Sequence, residues 1–146
     1  MLERHSALQS ATPYRGTGVT ISESPDFALA QISGSEKDLK KALGKIPGVV
    51  GKAQDNLLRI SPTQIWVVTD RHSRAGGNPS QSGASELDSR LRGNDGRNGT
   101  YVTELSSSRT RIAVEGPNAR AVLAKLAFID FHPRVFKLGM FVQTGI

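Results

Sequence analysis

The chain has no cysteine among its 146 residues, which excludes disulfides, thiolate metal sites and cysteine nucleophiles. Aromatic residues are scarce at 5%, with one tryptophan, Trp66. Bases would find no row of stacking platforms on it. The three histidines, His5, His72 and His132, show no metal-ligand spacing such as H-x-x-x-H. No apolar run approaches the roughly 20 residues needed to cross a bilayer. The opening MLERHSALQSATPYRG lacks an apolar signal core. The expectation is a cytoplasmic protein with neither a membrane nor a nucleic-acid partner. Gly16-Thr17-Gly18 lacks the third glycine of a dinucleotide loop, and Ser106 to Ser108 lacks a nucleophile elbow.

What is present is one domain's worth of chain, carrying a net charge of +6 and a pI near 10.1. The basic residues do not cluster, so they read as a solvated surface. Residues 1–17 are polar, with Pro13 and Gly16, and are expected to form an N-terminal arm. Val19 to Glu23 and Phe27 to Ser33 read as strands around the turn signal Ser24-Pro25-Asp26. Ser35 and Asp38 have capping-box spacing. Behind them Leu39, Ala42, Leu43 and Ile46 lie on one helical face, and Pro47-Gly48 is the expected stop. Leu57 to Ile60 and Ile65 to Thr69 form an expected antiparallel pair around Ser61-Pro62-Thr63-Gln64.

After residue 99 the scheme repeats. Tyr101 to Leu105 and Thr110 to Glu115 read as strands. Gly116-Pro117-Asn118 then starts a helix, with proline at its first position. Ala119, Val122, Leu123, Leu126 and Ala127 make its apolar face, and Gly139 to Ile146 begins another strand. The fold class expected is α+β, built from two related halves of antiparallel sheet plus helix. The halves are residues 18–70 and 100–146, the second incomplete because a split βαβ-type unit needs more chain to close.

Between them, residues 71–99 contain only four apolar side chains, Ala75, Ala84, Leu87 and Leu91. Such a composition favours disorder. SRAGGNP and LDSRLRGNDG resemble translated copies of a dispersed genomic repeat. Loops accept insertions with little harm. Removing residues 71–99 is therefore expected to leave folding and assembly unchanged.

The ordered run SSSRTRIAVEGPNARAVLAKL…IDFHPRVFKLGMFVQTGI resembles the gamma subunit of heterotetrameric sarcosine oxidase. That subunit is related to the folate-binding domain of glycine-cleavage aminomethyltransferases. The matching positions are Ser106, Gly116-Pro117, Leu123, Asp130, His132-Pro133, Phe136, Gly139 and Gln143-Thr144, with SPTQIWVV around Trp66 and residues 3–8 upstream. The resemblance implies an aminomethyltransferase folate-binding-domain-like fold. It also implies a non-catalytic accessory subunit of an oxidoreductase that demethylates sarcosine to glycine, passing the one-carbon unit to tetrahydrofolate. It places FAD, FMN, NAD, zinc and tetrahydrofolate on partner subunits and none in this chain. The implied partner is the alpha subunit, within a complex that includes beta and delta subunits. The alternative is a stand-alone folate-binding protein of the aminomethyltransferase type, against which the low aromatic content weighs.

No catalytic, cofactor or metal residue is assigned. Asp130-Phe131-His132-Pro133 reads as a loop held by side-chain hydrogen bonds. Arg109, Arg111, Arg120 and Arg134 read as solvated surface arginines. Trp66, Phe131, Phe136 and Phe141 are the candidate core or partner-interface anchors.

Overall fold

The computed structural model describes residues 12–24, 26–70 and 99–144. Residues 3–8 of the resemblance, most of the N-terminal arm, Pro25, residues 71–98 and the last two residues lie outside the described set. The described chain is α+β, with two antiparallel sheets and two α-helices. Its residues group into two compact units.

The larger unit holds residues 26–70, 99–108 and 139–141. Its strands are β3 (Phe27–Gly34), β4 (Ala53–Gln54), β5 (Leu57–Ser61), β6 (Gln64–Asp70) and β7 (Thr100–Glu104). They lie in the order β4-β5-β6-β3-β7, every neighbouring pair antiparallel. Period-two alternation sends Ile65 and Val67 to one face and Trp66 and Val68 to the other. Helix α1 (Glu36–Leu43) covers the first face. Leu39 and Ile46 there join Ile32, Leu57, Ile65 and Val67 in a buried cluster, flanked by Leu43 and Val102. Burying each such side chain contributes about 1.5–3 kcal/mol.

Both caps of α1 are legible in chemistry. The Ser35 hydroxyl accepts from the Asp38 amide at 3.2 Å and meets the Asp38 carboxylate, as the capping-box spacing predicts. The helix stops at Leu43, earlier than the expected Pro47-Gly48. Gly44 adopts φ 75°, and its N–H donates to the Lys40 carbonyl at 2.8 Å, so the left-handed glycine ends the helix first. Ile46 reaches the core from the loop beyond.

The smaller unit holds residues 12–24, 109–138 and 142–144. Its sheet is β1 (Tyr14–Gly16), β2 (Val19–Glu23) and β8 (Ile112–Glu115), in that order and antiparallel. Residues 14–16, expected in an arm, pair instead with β2 across the two-residue turn Thr17-Gly18. Helix α2 (Ala119–Leu126) begins one residue after Asn118, so Pro117 precedes the cap and does not occupy the first helical position. Hydrogen bonds explain the shift. The Asn118 amide donates to the Gly18 carbonyl at 2.9 Å, and its side-chain amide donates to the Thr17 carbonyl at 3.0 Å. Gly116, at φ 110°, brings its Cα so close that an added Cβ would lie 2.6 Å from the Gly18 oxygen.

Strand pairing also runs across the sequential division expected from the repeat. β7 lies beside β3, and β8 lies beside β2. Of the strand expected over Gly139 to Ile146, the described residues 139–144 show one bridge, Lys52 with Met140, flanked by Ala53 N–H to Gly139 (2.7 Å) and Phe141 N–H to Gly51 (3.1 Å). β4 is only two residues long, which keeps the ladder there short.

β6 and β7 are both antiparallel to β3 and so run parallel to each other. Asp70, ending β6, lies opposite Phe27, whereas Thr100, opening β7, lies opposite Gly34. Those positions on β3 are about 23 Å apart at the usual rise per strand residue. A single peptide bond cannot join Asp70 to Thr100. The expectation that residues 71–99 can be removed whole is therefore corrected by the register.

Candidate partner interface

The four aromatic candidates fall into both units. Trp66 stands on the sheet face opposite the buried cluster, in a cross-strand row with Leu58 and Gln31. It is half-buried, and its indole N–H donates to the Gln31 side-chain oxygen at 3.0 Å. Phe141 lies in the same unit beside Gly51. Phe131 and Phe136 belong to the smaller unit, where their rings meet edge-on at 5.3 Å. The structure thus pairs two of the four.

An arginine holds that pair in place. Arg120, half-buried on α2, donates to the carbonyls of Phe131 (2.6 Å) and Phe136 (2.9 Å). The reading of Arg120 as a solvated surface residue is corrected: the loop after α2 folds back over it and needs its donors. Arg111 likewise donates to the Ser24 hydroxyl at 2.7 Å. The Asp130-His132 loop is tied as its composition suggests. Asp130 accepts from the His132 amide at 2.8 Å, and the His132 ring Nδ1 accepts from the Arg134 amide at 3.3 Å.

Sequence reasoning missed Arg59. It occupies an inward position of β5, two residues after Leu57, and is buried. Its guanidinium donates to the carbonyls of Pro47 (2.9 Å) and Gly48 (3.2 Å) and pairs with Glu36 at 2.9 Å. One side chain thereby joins the start of α1, the loop that follows it and the β5 strand. Glu36 also meets Lys40 at 2.6 Å. The hydrogen bond from Lys40, then that from Arg59, lowers the Glu36 carboxyl from 4.5 to about 2. The available signal was the alternation itself, which puts residue 59 on the side of Leu57.

The smaller unit leaves much apolar surface uncovered. Val19 is the one buried hydrophobic among its described residues, and α2 buries none. Phe128 is 102% exposed and Leu138 94%, with Leu126 and Val135 also open. Phe128 and Leu138 are thus the most exposed large apolar side chains among the described residues. Among the described residues no group of three His, Asp or Glu could hold a metal ion. No described helix is long and apolar enough to cross a membrane.

Structural comparison supplies a relative. A solved heterotetrameric sarcosine oxidase from Corynebacterium sp. U-96, in complex with pyrrole 2-carboxylate, matches with a TM-score of 0.68 over 86% of this chain at 25% identity. The chain shares the fold of a heterotetrameric sarcosine oxidase chain. It spans 64% of that counterpart's length. No family model and no curated protein matches the sequence. The sarcosine oxidase likeness therefore rests on backbone arrangement, and it agrees with the sequence resemblance carried by residues 106–146 and by SPTQIWVV around Trp66.

Proposed function

We propose that this chain is a non-catalytic accessory subunit, of the gamma type, in a heterotetrameric sarcosine oxidase. Its role is to contribute surface and shape to a complex that oxidatively demethylates sarcosine and passes the one-carbon unit to tetrahydrofolate. The observation that carries the reading is the backbone likeness to a heterotetrameric sarcosine oxidase. The exposed apolar side chains of the smaller unit support it, since Phe128 and Leu138 stand open among the described residues. Flavins, NAD, zinc and the folate belong to the partner subunits in this proposal. The partner is the large alpha subunit.

Co-expression with a sarcosine oxidase alpha subunit, followed by capture through a tag on this chain, tests the proposal. Stoichiometric co-purification is expected. Failure to capture the alpha subunit, or saturable binding of a reduced folate by the isolated chain, would overturn it in favour of a stand-alone folate-binding protein.

A further inference from the structure

β8 is an edge strand among the described residues, paired with β2 alone. Its backbone polarity is fixed by one bond. The Ser24 amide donates to the Arg111 carbonyl at 2.8 Å, so Arg111 is a hydrogen-bonded position facing β2. In an antiparallel ladder such positions alternate. Ala113 and Glu115, opposite Ser22 and Thr20, therefore also face β2. Ile112 and Val114 direct their N–H and C=O groups outward. The β1-β2 hairpin agrees: Gly16 pairs with Val19 across its two-residue turn, leaving Thr20 and Ser22 to face β8.

We propose that this edge pairs antiparallel with β8 of a second copy of the chain, about a two-fold axis through Ala113. In that register Ile112 of each copy exchanges both backbone hydrogen bonds with Val114 of the other. Arg111 of each copy then lies directly opposite Glu115 of the other, on one face of the joined sheet. The strand is its own charge complement only in this register. Centring the axis on Ile112 would set Arg111 opposite Ala113. Centring it on Val114 would set Glu115 opposite Ala113. Opposed charges directly across a ladder stabilise a pair, and like charges there destabilise it. Arg111 already bonds Ser24, and a guanidinium with five N–H donors can also serve a carboxylate across the new ladder. The side chain of Ile112, half exposed at 51%, lies on the opposite face, next to Val114 of the other copy. The contact is short, so the dimer is of low affinity. It is independent of the accessory-subunit reading, because it concerns the isolated chain.

Sedimentation equilibrium of the purified full chain, from about 1 μM to about 1 mM, spans the affinity range in question. A reversible monomer–dimer equilibrium is expected. Exchange at the Ile112 and Val114 amides should slow as concentration rises. Val114→Pro removes an outward donor and spares every bond to β2, so it should abolish the dimer. Glu115→Arg and Arg111→Glu should each weaken it by roughly tenfold or more, and the two together should restore it. Far-UV circular dichroism establishes that each variant is folded. A monomer throughout the range, a dimer that survives in folded Val114→Pro, an affinity unchanged in folded Glu115→Arg, or amide exchange independent of concentration would overturn the proposal.

Discussion

Arg59 ties three segments of the larger unit together. Its stem lies in the core side of the sheet while its guanidinium serves two carbonyls and Glu36. Arg59→Met keeps the stem and removes the donors. It should destabilise the protein by about 3 kcal/mol, measured by urea unfolding, because the Pro47 and Gly48 carbonyls lose partners. Arg59→Lys should recover only part, since an ammonium cannot fork between acceptors on different segments. Glu36 adds a pH signature. Its folded carboxyl sits near 2 against an ordinary 4.5, so the ionised form is the one that folding favours. That contribution is fully present above pH 4.5 and fades as pH falls from 4.5 through about 2. The stability difference between the wild type and Glu36→Gln should therefore shrink across that window in acid titrations. Gly116 is a backbone case. At φ 110°, and with an added Cβ 2.6 Å from the Gly18 oxygen, Gly116→Ala should cost about 1–3 kcal/mol in thermal unfolding of the smaller unit.

At the scale of elements, the strands were readable and the helix ends only partly so. Alternation located β2, β3, β5 and β6 to within a residue or two, because each has one face in contact with apolar neighbours. Ser35 was readable because capping is local chemistry. Ser35→Ala should remove about 1 kcal/mol in denaturant unfolding, by leaving the Asp38 amide without its acceptor. Gly44 was passed over because Pro47-Gly48 is the louder stop signal, yet the nearer glycine acts first. Arg59 and Arg120 were misjudged for a shared reason. A charged residue reads as solvated unless one knows which carbonyls the fold will bring within reach. Those carbonyls belong to segments eleven to sixteen residues away. Ser106 shows the same limit. Its hydroxyl lies 2.9 Å from the Leu29 amide, although the two residues are 77 apart in sequence.

At the scale of the whole molecule, the α+β class was legible and the pairing was not. The repeat of strand, strand, helix suggested self-contained halves, but β7 completes the sheet that holds β3. Long-range pairing is set by which faces can bury together, and period-two patterns do not name their partners. The candidate anchors were chosen by residue type alone. Trp66, Phe131, Phe136 and Phe141 are partly buried, whereas Phe128 and Leu138, which composition did not single out, are the open ones. Phe128→Asp with Leu138→Asp should leave the melting temperature within a degree or two, as surface changes do. The same pair should sharply reduce co-purification with an alpha subunit. A third expectation concerns chain length. Replacing residues 71–98 by about a dozen glycine and serine residues should preserve the fold, since a parallel connection takes that many. Joining Asp70 directly to Thr100 should abolish it, as read by circular dichroism.

The placement of Asp70 and Thr100 at opposite ends of β3 also bears on how such a gene can change. Whatever sequence lies at this junction has the task of bridging the sheet, so it can be shortened but not excised outright, and it is length before composition that the strand register demands of it.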